Sequence, residues 1–357
     1  MMKNIGKISF KEIKRISPSQ FYSMKNCAYK SLLAAAFENK PLLPISPNAY
    51  FGTVLHKMLE LIANGVVQSE NDFNRMFDEQ VKAIEKSLQQ QGYSFYVPLQ
   101  KNVRDFGMKK ILLKKHLRAV SEQPLKSGGV KYHSEKWFES KDKLIGGKID
   151  LLIENRDETE VVDFKTGAIT EDVLDDAGEV FSEVKEGYKE QLKLYAYLYF
   201  ENMGKFPTHL SLVDLAKQKF TVEFSQSECS AIYEEAKRLL HSTNESIKKG
   251  IFAANPTEAN CKYCLYRPAC SFFLKHIGMD YSFNDVSGLV RNVVRYQNGN
   301  VSVFLQNGGK QITVTSFPSE KFDELNDTRN KQLSIYNLRK EATGFVYSAT
   351  KTTMIYE

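Results

Sequence analysis

Two strands joined by a tight turn give the clearest structural signal in this sequence. GGKIDLLIE and TEVVDFK alternate polar and apolar residues on either side of a turn at residues 155–158, and a period of two is typical of β-strands. In an unbulged hairpin centred on that turn, Asp150 faces Asp163 and Lys148 faces Lys165. The opposite face is predicted to pack on a core through its apolar residues: Ile149, Leu151, Ile153, Val162 and Phe164.

The two facing aspartates need a positive charge between them. Carboxylates about 5 Å apart repel by roughly 3 kcal/mol at an effective dielectric constant of about 20. Lys148 and Lys165 alone would supply that charge on an ordinary solvated sheet face. The order Asp-x-Lys at the end of one strand, beside a second aspartate, instead favours a divalent cation held by oxygen ligands.

The cysteines add a second constraint, because three of the five lie in one ten-residue segment. Cys261, Cys264 and Cys270 follow a C-x2-C-x5-C spacing, and Cys27 precedes the first of them by 234 residues. An odd number of cysteines argues against a disulfide framework, whereas four thiolates are enough for one tetrahedral zinc ion or one [4Fe-4S] cluster. Cys229 matches no such pattern and is predicted to be a small apolar helix residue.

Composition excludes several classes of protein. With 357 residues, 42% of them hydrophobic and 26% charged, the chain can bury a core and has the length of about two domains. It has no GxxxxGK[ST] loop, so any ATP-driven motor would be another chain. The longest apolar run has seven residues, 194–200, far short of the roughly 20 of a membrane helix. No signal peptide is recognisable, so we expect a cytoplasmic protein without membrane association.

The order of the predicted elements suggests two domains. Helices are predicted at 17–37, with Ser17 as N-cap, around His56, through 72–118, at 188–200 and at 226–249. Strands are predicted within 131–166 and near 209–224, and the acidic segment 168–187 is predicted to be an exposed loop or lid. Short alternating segments predict a small β-domain at 286–357, with an OB-like barrel as one candidate, after a first domain at 1–280.

Six motifs, taken in this order, resemble those of the PD-(D/E)xK nucleases and, within them, the RecB/AddB-like and CRISPR-associated iron–sulfur exonucleases. The resemblance covers about residues 17–275, and its parts are Cys27 after SPSQFYSMKN, GTVLHKMLE with His56, GGKID with Asp150, VVDFKTG with Asp163 and Lys165, YKEQLKLYAYLY with Gln191 and Tyr195, and the late cysteine triplet. It implies an α/β protein in which a restriction-endonuclease-like core carries a helical N-terminal region, an Fe–S staple and the small C-terminal β-domain.

The resemblance also implies a metal site. His56, Asp150 and Asp163, with the backbone carbonyl of Phe164, would bind Mg2+ or Mn2+, and an imidazole among oxygen ligands favours Mn2+. The cation would act as a Lewis acid and lower the pKa of bound water. Lys165 would orient or help to deprotonate that water and stabilise charge on the scissile phosphate.

Three more residues have implied roles near the metal site. Gln191 and Tyr195 are four residues apart and therefore lie on one face of a helix. The family pattern implies that they contact Lys165 or the DNA backbone, and an aromatic core stripe is the alternative. Glu135 resembles a family acid on the preceding strand and is a candidate for a role behind the metal ligands.

The cysteine spacing resembles the family's iron–sulfur pattern of one early and three late cysteines. It implies that Cys27, Cys261, Cys264 and Cys270 bind a [4Fe-4S] cluster. Zinc is the alternative, although zinc ribbons usually have two C-x2-C knuckles and only one is present. Because closing so long a loop restricts the unfolded chain, the predicted role is structural: the group clamps the C-terminal segment against the first helix.

Nucleic acid is the predicted partner. A net charge of +6 permits an anionic partner without proving one. Residues 101–118 carry seven basic side chains against one acid, which fits either a solvated helix face or a grip on phosphates. Four aromatic residues of the β-domain are candidates for stacking on single-stranded bases, and a β core explains them equally: Tyr296, Phe304, Tyr336 and Tyr347.

The sequence therefore predicts a metal-dependent deoxyribonuclease that hydrolyses phosphodiester bonds from the ends of single-stranded or frayed DNA. The alternatives are a structure-specific endonuclease and a non-catalytic DNA-binding or scaffold subunit of a helicase–nuclease complex. The resemblance implies a place in DNA repair, recombination or the processing of foreign DNA, with a separate helicase or recombination protein as partner.

Overall fold

The structure is a computed structural model that describes residues 2–122, 130–174, 180–277, 283–342 and 344–357. The helices of these residues are α1 (Pro18–Asn26), α2 (Ala28–Ala36), α3 (Pro47–Ala63), α4 (Glu70–Gln90), α5 (Leu99–Asn102), α6 (Phe106–Glu122), α7 (Glu186–Met203), α8 (Gln226–Lys249), α9 (Glu258–Cys261), α10 (Ser271–His276) and α11 (Phe322–Asn326). None of them has both the length and the apolar character needed to cross a membrane. The cytoplasmic location stays a prediction.

The strands belong to three sheets. They are β1 (Lys131–Glu139), β2 (Gly146–Glu154), β3 (Thr159–Lys165), β4 (Thr170–Leu174), β5 (Val180–Val184), β6 (His209–Asp214), β7 (Lys219–Thr221), β8 (Val286–Arg295), β9 (Val301–Asn307), β10 (Lys310–Phe317), β11 (Gln332–Tyr336), β12 (Arg339–Lys340), β13 (Val346–Ser348) and β14 (Met354–Tyr356). Helices and strands alternate in the first part of the chain, as the predicted α/β class requires.

The chain divides into two compact units. The hairpin unit comprises residues 13–25 and 46–245 and contains β2 and β3. The cysteine unit comprises residues 1–12, 26–45 and 246–357 and contains the four predicted cysteine ligands together with the C-terminal sheet. The domain division predicted between residues 280 and 286 stays a prediction.

A five-stranded sheet in the order β1-β2-β3-β6-β7 forms the centre of the hairpin unit. β3 and β6 are parallel, and the other neighbours are antiparallel. Parallel strands need a crossover connection, and α7 lies in the one that joins β3 to β6. Leu192, Ala196 and Tyr199 of α7 are buried in one core with Ile149 and Leu152 of β2. A second core lies among α3, α4 and α6.

Local sequence fixes the ends of the two helices that carry predicted site residues. α3, which bears His56, begins with Pro47, and Oγ of Ser46 accepts a hydrogen bond from the N–H of Asn48. α7, which bears the Gln-x3-Tyr pattern, ends at Gly204, whose φ of 74° is left-handed. Glycine is suited to that position because it has no side chain to clash there.

The register of the β2–β3 hairpin is as predicted. Leu151 pairs with Val162, and the pairing continues to Glu154 opposite Thr159. The backbone pairing ends at Leu151, one residue before the two aspartates. The turn geometry therefore brings Asp150 and Asp163 to the open end of the hairpin.

The predicted alternation of faces along β2 is wrong. Ile149 and Leu152 are buried, whereas Leu151 and Ile153 are only partly buried. The neighbouring strand shows a matching irregularity, because Glu135 of β1 has a φ of 54° and the β1–β2 ladder skips it. A residue in the left-handed region interrupts the period of two, so the side chains before and after it change faces.

Two other segments differ from the prediction. The single helix expected at 17–37 is two helices, α1 and α2, because Cys27 between them has extended backbone with φ −158° and ψ 92°. The acidic segment expected to be a loop forms the antiparallel pair β4–β5, in which Val173 pairs with Phe181. β-branched and aromatic residues between the acids favour strands. Residues 175–179 of that segment lie outside the described residues.

The C-terminal sheet of the cysteine unit is a half-barrel of seven strands in the order β12-β13-β10-β9-β8-β11-β14. Its core contains the predicted apolar residues of these strands, such as Val290, Val303 and Ile312. The small β-structure is therefore confirmed, and the OB-like barrel stays a prediction.

The proposed base-stacking surface of this sheet is wrong for two of its four residues. Tyr336 and Tyr347 are buried, which matches the alternative that they belong to a β core. Phe304 is partly buried, and Tyr296 is exposed. A flat surface for bases cannot be formed by side chains that the core already covers.

Candidate functional site

Asp163, Lys165 and Gln191 form a closed polar triangle at the end of β3. Nζ of Lys165 lies 2.7 Å from Oδ2 of Asp163 and donates a hydrogen bond to Oε1 of Gln191 at 2.9 Å. Nε2 of Gln191 donates to Oδ1 of Asp163 at 2.7 Å. Asp163 and Gln191 are buried, so α7 holds the carboxylate and the ammonium in a defined orientation. The predicted contact between Gln191 and Lys165 is present.

Asp150 lies beside this triangle and is held by the backbone of β3. Its Oδ2 accepts a hydrogen bond from the N–H of Phe164 at 2.8 Å, and Nδ1 of His56 on α3 is 3.9 Å from the same oxygen. Burial and the charge of Asp163 raise the pKa of Asp150 to about 7, although the N–H of Phe164 opposes the shift. Two carboxylates at this site are therefore costly to ionise together in the absence of a cation.

Burial lowers the pKa of His56, and the charge of Asp163 opposes this shift. The imidazole is therefore neutral near pH 7, the form that binds a metal. The structure brings His56, Asp150 and Asp163 into one region between α3 and the end of the hairpin. The carbonyl of Phe164 stays a predicted ligand.

Glu135 and Lys148 lie next to the aspartates but pair with each other. Nζ of Lys148 is 3.1 Å from Oε2 of Glu135. The prediction that Lys148 faces Lys165 is therefore not what the side chains do, because the face change in β2 turns Lys148 toward β1. The charge of Glu135 contributes to raising the pKa of Asp150, which places its carboxylate near the site, as its predicted role requires.

Tyr195 is buried on the same face of α7 as Gln191. Burial, followed by the charges of Asp163 and Asp150, raises the pKa of its phenol. A side chain on Gly147 would come within 3.2 Å of the hydroxyl of Tyr195, so glycine at this position leaves room for the ring. Tyr195 thus lies close to both aspartates and also belongs to the core, which combines the two alternatives considered for it.

Tyr188 is a site neighbour to which the sequence analysis gives no role. The ammonium of Lys165 lies 4.2 Å from the centroid of its ring, a cation–π distance. The signal in the sequence is its position three residues before Gln191, which puts both on one helix face.

The donor set at the hairpin fits a hard divalent cation. Oδ2 of Asp163 is buried and has no hydrogen-bond partner among the described residues, because the nearby ammonium of Lys165 lies outside hydrogen-bonding geometry. That oxygen, Asp150 and His56 are the groups that would hold the cation. In the described part of the chain, however, no three His, Cys, Asp or Glu side chains are already arranged as a complete metal-binding set.

Four of the five cysteines converge on one small cavity of the cysteine unit. The cavity measures about 20 Å³ and is lined by Cys27, Cys261, Cys264 and Cys270. All four are free. Burial, and then the neighbouring thiols, raise the pKa of Cys261 to about 12, so a bound metal would have to displace the protons. Cys229, in contrast, is buried in the core of the hairpin unit, as predicted.

A buried polar network supports the cysteine loop. Nη1 of Arg267 donates to the carbonyl of Cys264 at 2.8 Å, and Nη2 donates to Oδ1 of Asn337 at 2.8 Å. Arg267 also forms an ion pair with Asp285, and both residues are buried. The network ties the loop of the cysteine triplet to the adjoining C-terminal sheet within the cysteine unit.

The basic segment on α6 is partly used in ion pairs. Nζ of Lys110 is 3.3 Å from Asp78, and Nζ of Lys114 is 2.8 Å from Glu70, both acids on α4. Lys115 is exposed and Lys109 partly exposed, so the two readings of this segment apply to different residues. The side chain of Arg118 lies outside the described residues.

Two carboxylates and a lysine at the end of a central hairpin, covered by a helix that holds them with an amide, are typical of a hydrolase that works with a divalent cation. The chain belongs to the PD-(D/E)XK nuclease superfamily, whose family model matches residues 15–271. Members of this superfamily are metal-dependent nucleases. The predicted superfamily is thus confirmed, whereas the RecB/AddB-like iron–sulfur branch stays a prediction.

Solved structures show only distant likeness. A candidate exonuclease from Eubacterium rectale is 10% identical, with a TM-score of 0.43 over 70% of this chain and 87% of its own. A protein designated SSO0001 is 12% identical, with a TM-score of 0.29 over 74% of this chain and 89% of its own. Neither likeness is close enough to define the activity of this chain. Among curated proteins no sequence matches.

Proposed function

We propose that this protein is a Mg2+- or Mn2+-dependent deoxyribonuclease that degrades single-stranded or frayed DNA from its ends. The observation that carries the proposal is the carboxylate of Asp163, buried at 5% exposure, with one oxygen fixed by Gln191 and the other without a hydrogen bond among the described residues. A buried carboxylate oxygen in that state is suited to a cation.

The residues of the chain have separate tasks in this proposal. Asp150, Asp163 and His56 hold the cation, with the carbonyl of Phe164 as a further ligand. The bound cation supplies a Lewis acid and a more acidic water. Lys165, fixed by Gln191 and by the ring of Tyr188, keeps a positive charge next to Asp163, where it orients water and stabilises charge on the phosphate. Gln191 positions both groups, and Tyr195 packs behind them.

The cysteine cavity is proposed to hold a [4Fe-4S] cluster as a structural clamp. Four thiols around one cavity support a group that prefers sulfur ligands. This feature, with the six motifs of the sequence, supports a place in the RecB/AddB-like and CRISPR-associated iron–sulfur branch. That branch implies work in DNA repair, recombination or the processing of foreign DNA, beside a separate helicase or recombination protein in the cytoplasm.

The activity is tested with labelled linear single-stranded DNA and a closed single-stranded circle, each with Mg2+ or Mn2+. We expect loss of the linear substrate only, and no loss with Asp163→Asn. Asp157→Asn, an exposed aspartate in the turn of the same hairpin, is the matched control and should remain active. Cleavage of the circle would make the protein an endonuclease. No metal-dependent loss of either substrate would favour the scaffold subunit.

The cluster is tested by anaerobic purification. Visible absorbance together with about four iron and four sulfide per chain is expected from a [4Fe-4S] group. Stoichiometric zinc without iron would replace the cluster by a zinc site. Both outcomes are independent of the nuclease assay.

A further inference from the structure

The only tryptophan of the chain is exposed on the sheet next to the candidate site. Trp137 of β1 is 45% exposed, whereas the next residue, Phe138, is buried. Its cross-strand partner on β2 is Lys148, and the residue after Lys148, Ile149, is also buried. Trp137 and Lys148 therefore point to the face of the sheet that lies away from this core.

This face leads directly to the aspartates. Lys148 precedes Asp150 by two residues, about 7 Å along a strand, and Trp137 lies one strand further. The backbone of Trp137 is therefore about 8 Å from that of Asp150, roughly two nucleotides of a stacked strand. Lys148 also pairs with Glu135, whose charge acts on Asp150.

The indole is held in a fixed orientation by its neighbours. The guanidinium of Arg15 lies 4.6 Å from the ring centroid and also pairs with Glu139. A side chain on Gly146 would come within 3.2 Å of both the tryptophan ring and the Arg15 side chain. Glycine at that position thus makes room for a preorganised ring that is still half open to solvent.

We propose that Trp137 is a platform on which a base of single-stranded nucleic acid stacks, with Arg15 and Lys148 as contacts for the flanking phosphates. This inference rests on the proposed function and adds a substrate-holding subsite to it. The neighbours of the ring are cations rather than an apolar patch, which favours a nucleic acid over a protein. Exposed ion pairs contribute little to stability, so Arg15 and Lys148 are available to a phosphate.

The single tryptophan makes the test direct. The full-length Asp163→Asn variant is mixed in EDTA with a homothymidine oligonucleotide of about 12 nucleotides, within the usual site sizes for single strands, so that no cleavage occurs. We expect tryptophan fluorescence to fall in a saturable way, because stacking on a base quenches indole. An oligomer of the same length without bases should bind through its phosphates and leave the fluorescence unchanged.

Variants test the same contact by affinity, measured with a labelled oligonucleotide. Trp137→Ala should weaken binding about 5- to 100-fold, the range for loss of one stacked base, and Trp137→Phe should recover most of it. Tyr132→Ala is the matched control, since Tyr132 is exposed on the same strand and should leave the affinity unchanged. Arg15→Ala and Lys148→Ala should each flatten the salt dependence of binding.

Failure of this inference can be told from failure of the proposed function. Binding of the oligonucleotide without any change in fluorescence would overturn the stacking subsite, whether or not the wild type hydrolyses DNA. Equal quenching by the oligomer without bases would overturn it too, as would no binding at all. Quenching in a protein that never cleaves DNA would support the subsite and refute the nuclease. The fluorescence test needs no change at Trp137, so misfolding of Trp137→Ala cannot leave the question open.

Discussion

Gln191 donates a hydrogen bond to Asp163 from Nε2 to Oδ1 at 2.7 Å, and its other amide atom accepts one from Lys165. One neutral side chain therefore fixes both charged groups at the end of β3. A carboxylate held in this way keeps the orientation that a metal ligand needs, because the partners of metal ligands orient them.

Replacing Gln191 tests this positioning role. Gln191→Leu keeps the size of the side chain and removes both hydrogen bonds, so we expect nuclease activity to fall about 10- to 100-fold, with Mn2+ affinity reduced in parallel. Activity assays and Mn2+ titrations measure the two effects. Lys193→Ala on the same helix, which loses only a pair with Glu228, should retain activity. Equal activity of both variants would remove the positioning role.

Lys165 is expected to act on the reaction rather than on metal binding. Lys165→Met removes the charge next to the phosphate, and we predict a 100- to 1,000-fold loss, flagged as about the effect of losing one preorganised donor. Mn2+ affinity should stay equal or increase, because a competing positive charge beside Asp163 is gone. Lys219→Met, which removes a cation that pairs with Glu160 on the same sheet, is the control. Loss of Mn2+ binding in Lys165→Met would contradict this division of roles.

Asp142 gives a prediction for the pH dependence of stability. Burial alone would raise its pKa, but hydrogen bonds led by those from Lys237 and Ser140 lower it to about 2 from the ordinary 3.8. The carboxylate therefore stabilises the fold above about pH 4, and this contribution disappears as the pH falls toward 2. Asp142→Asn should lower the free energy of unfolding by about 1–2 kcal/mol at pH 7.

Denaturant titrations at several pH values measure this difference. It should shrink below pH 4 and vanish near pH 2. Asp78→Asn, which affects an exposed pair with Lys110, should change stability little at any pH. A difference for Asp142→Asn that is constant from pH 7 to pH 2 would contradict the account.

The cysteine cavity predicts a selective effect of cysteine replacement. Cys264→Ser should abolish or strongly reduce visible absorbance and bound iron, since it removes one of four ligands. Cys229→Ala removes a thiol that lies in the other core and should leave the iron content unchanged. Identical iron content in both variants would refute the assignment of Cys264 as a ligand.

Much of the fold is predictable from this sequence because local rules dominate there. The register of β2 and β3 follows from a short turn and a period of two, and helix α8 at Gln226–Lys249 coincides with the predicted span. Gln191 and Tyr195 share a helix face because of their spacing. The convergence of four cysteines follows from a distant pattern that few other arrangements explain.

The remaining features depend on interactions that the pattern does not contain. The exchange of faces along β2 accompanies the left-handed φ of Glu135, and a glutamate gives no local signal for that conformation. The interruption at Cys27 separates two segments that each have a helical pattern. The stacking of Arg15 on Trp137 joins residues 122 positions apart, which no local rule foresees.

The most direct test of the metal site is a crystal of the protein soaked in Mn2+ and examined by anomalous scattering. We predict one peak in contact with Asp150 and Asp163, with His56 beside it, and no such peak in crystals of Asp163→Asn. An empty position between the two aspartates of the wild type, or a peak that persists unchanged in the variant, would contradict the central claim that these carboxylates bind the cation.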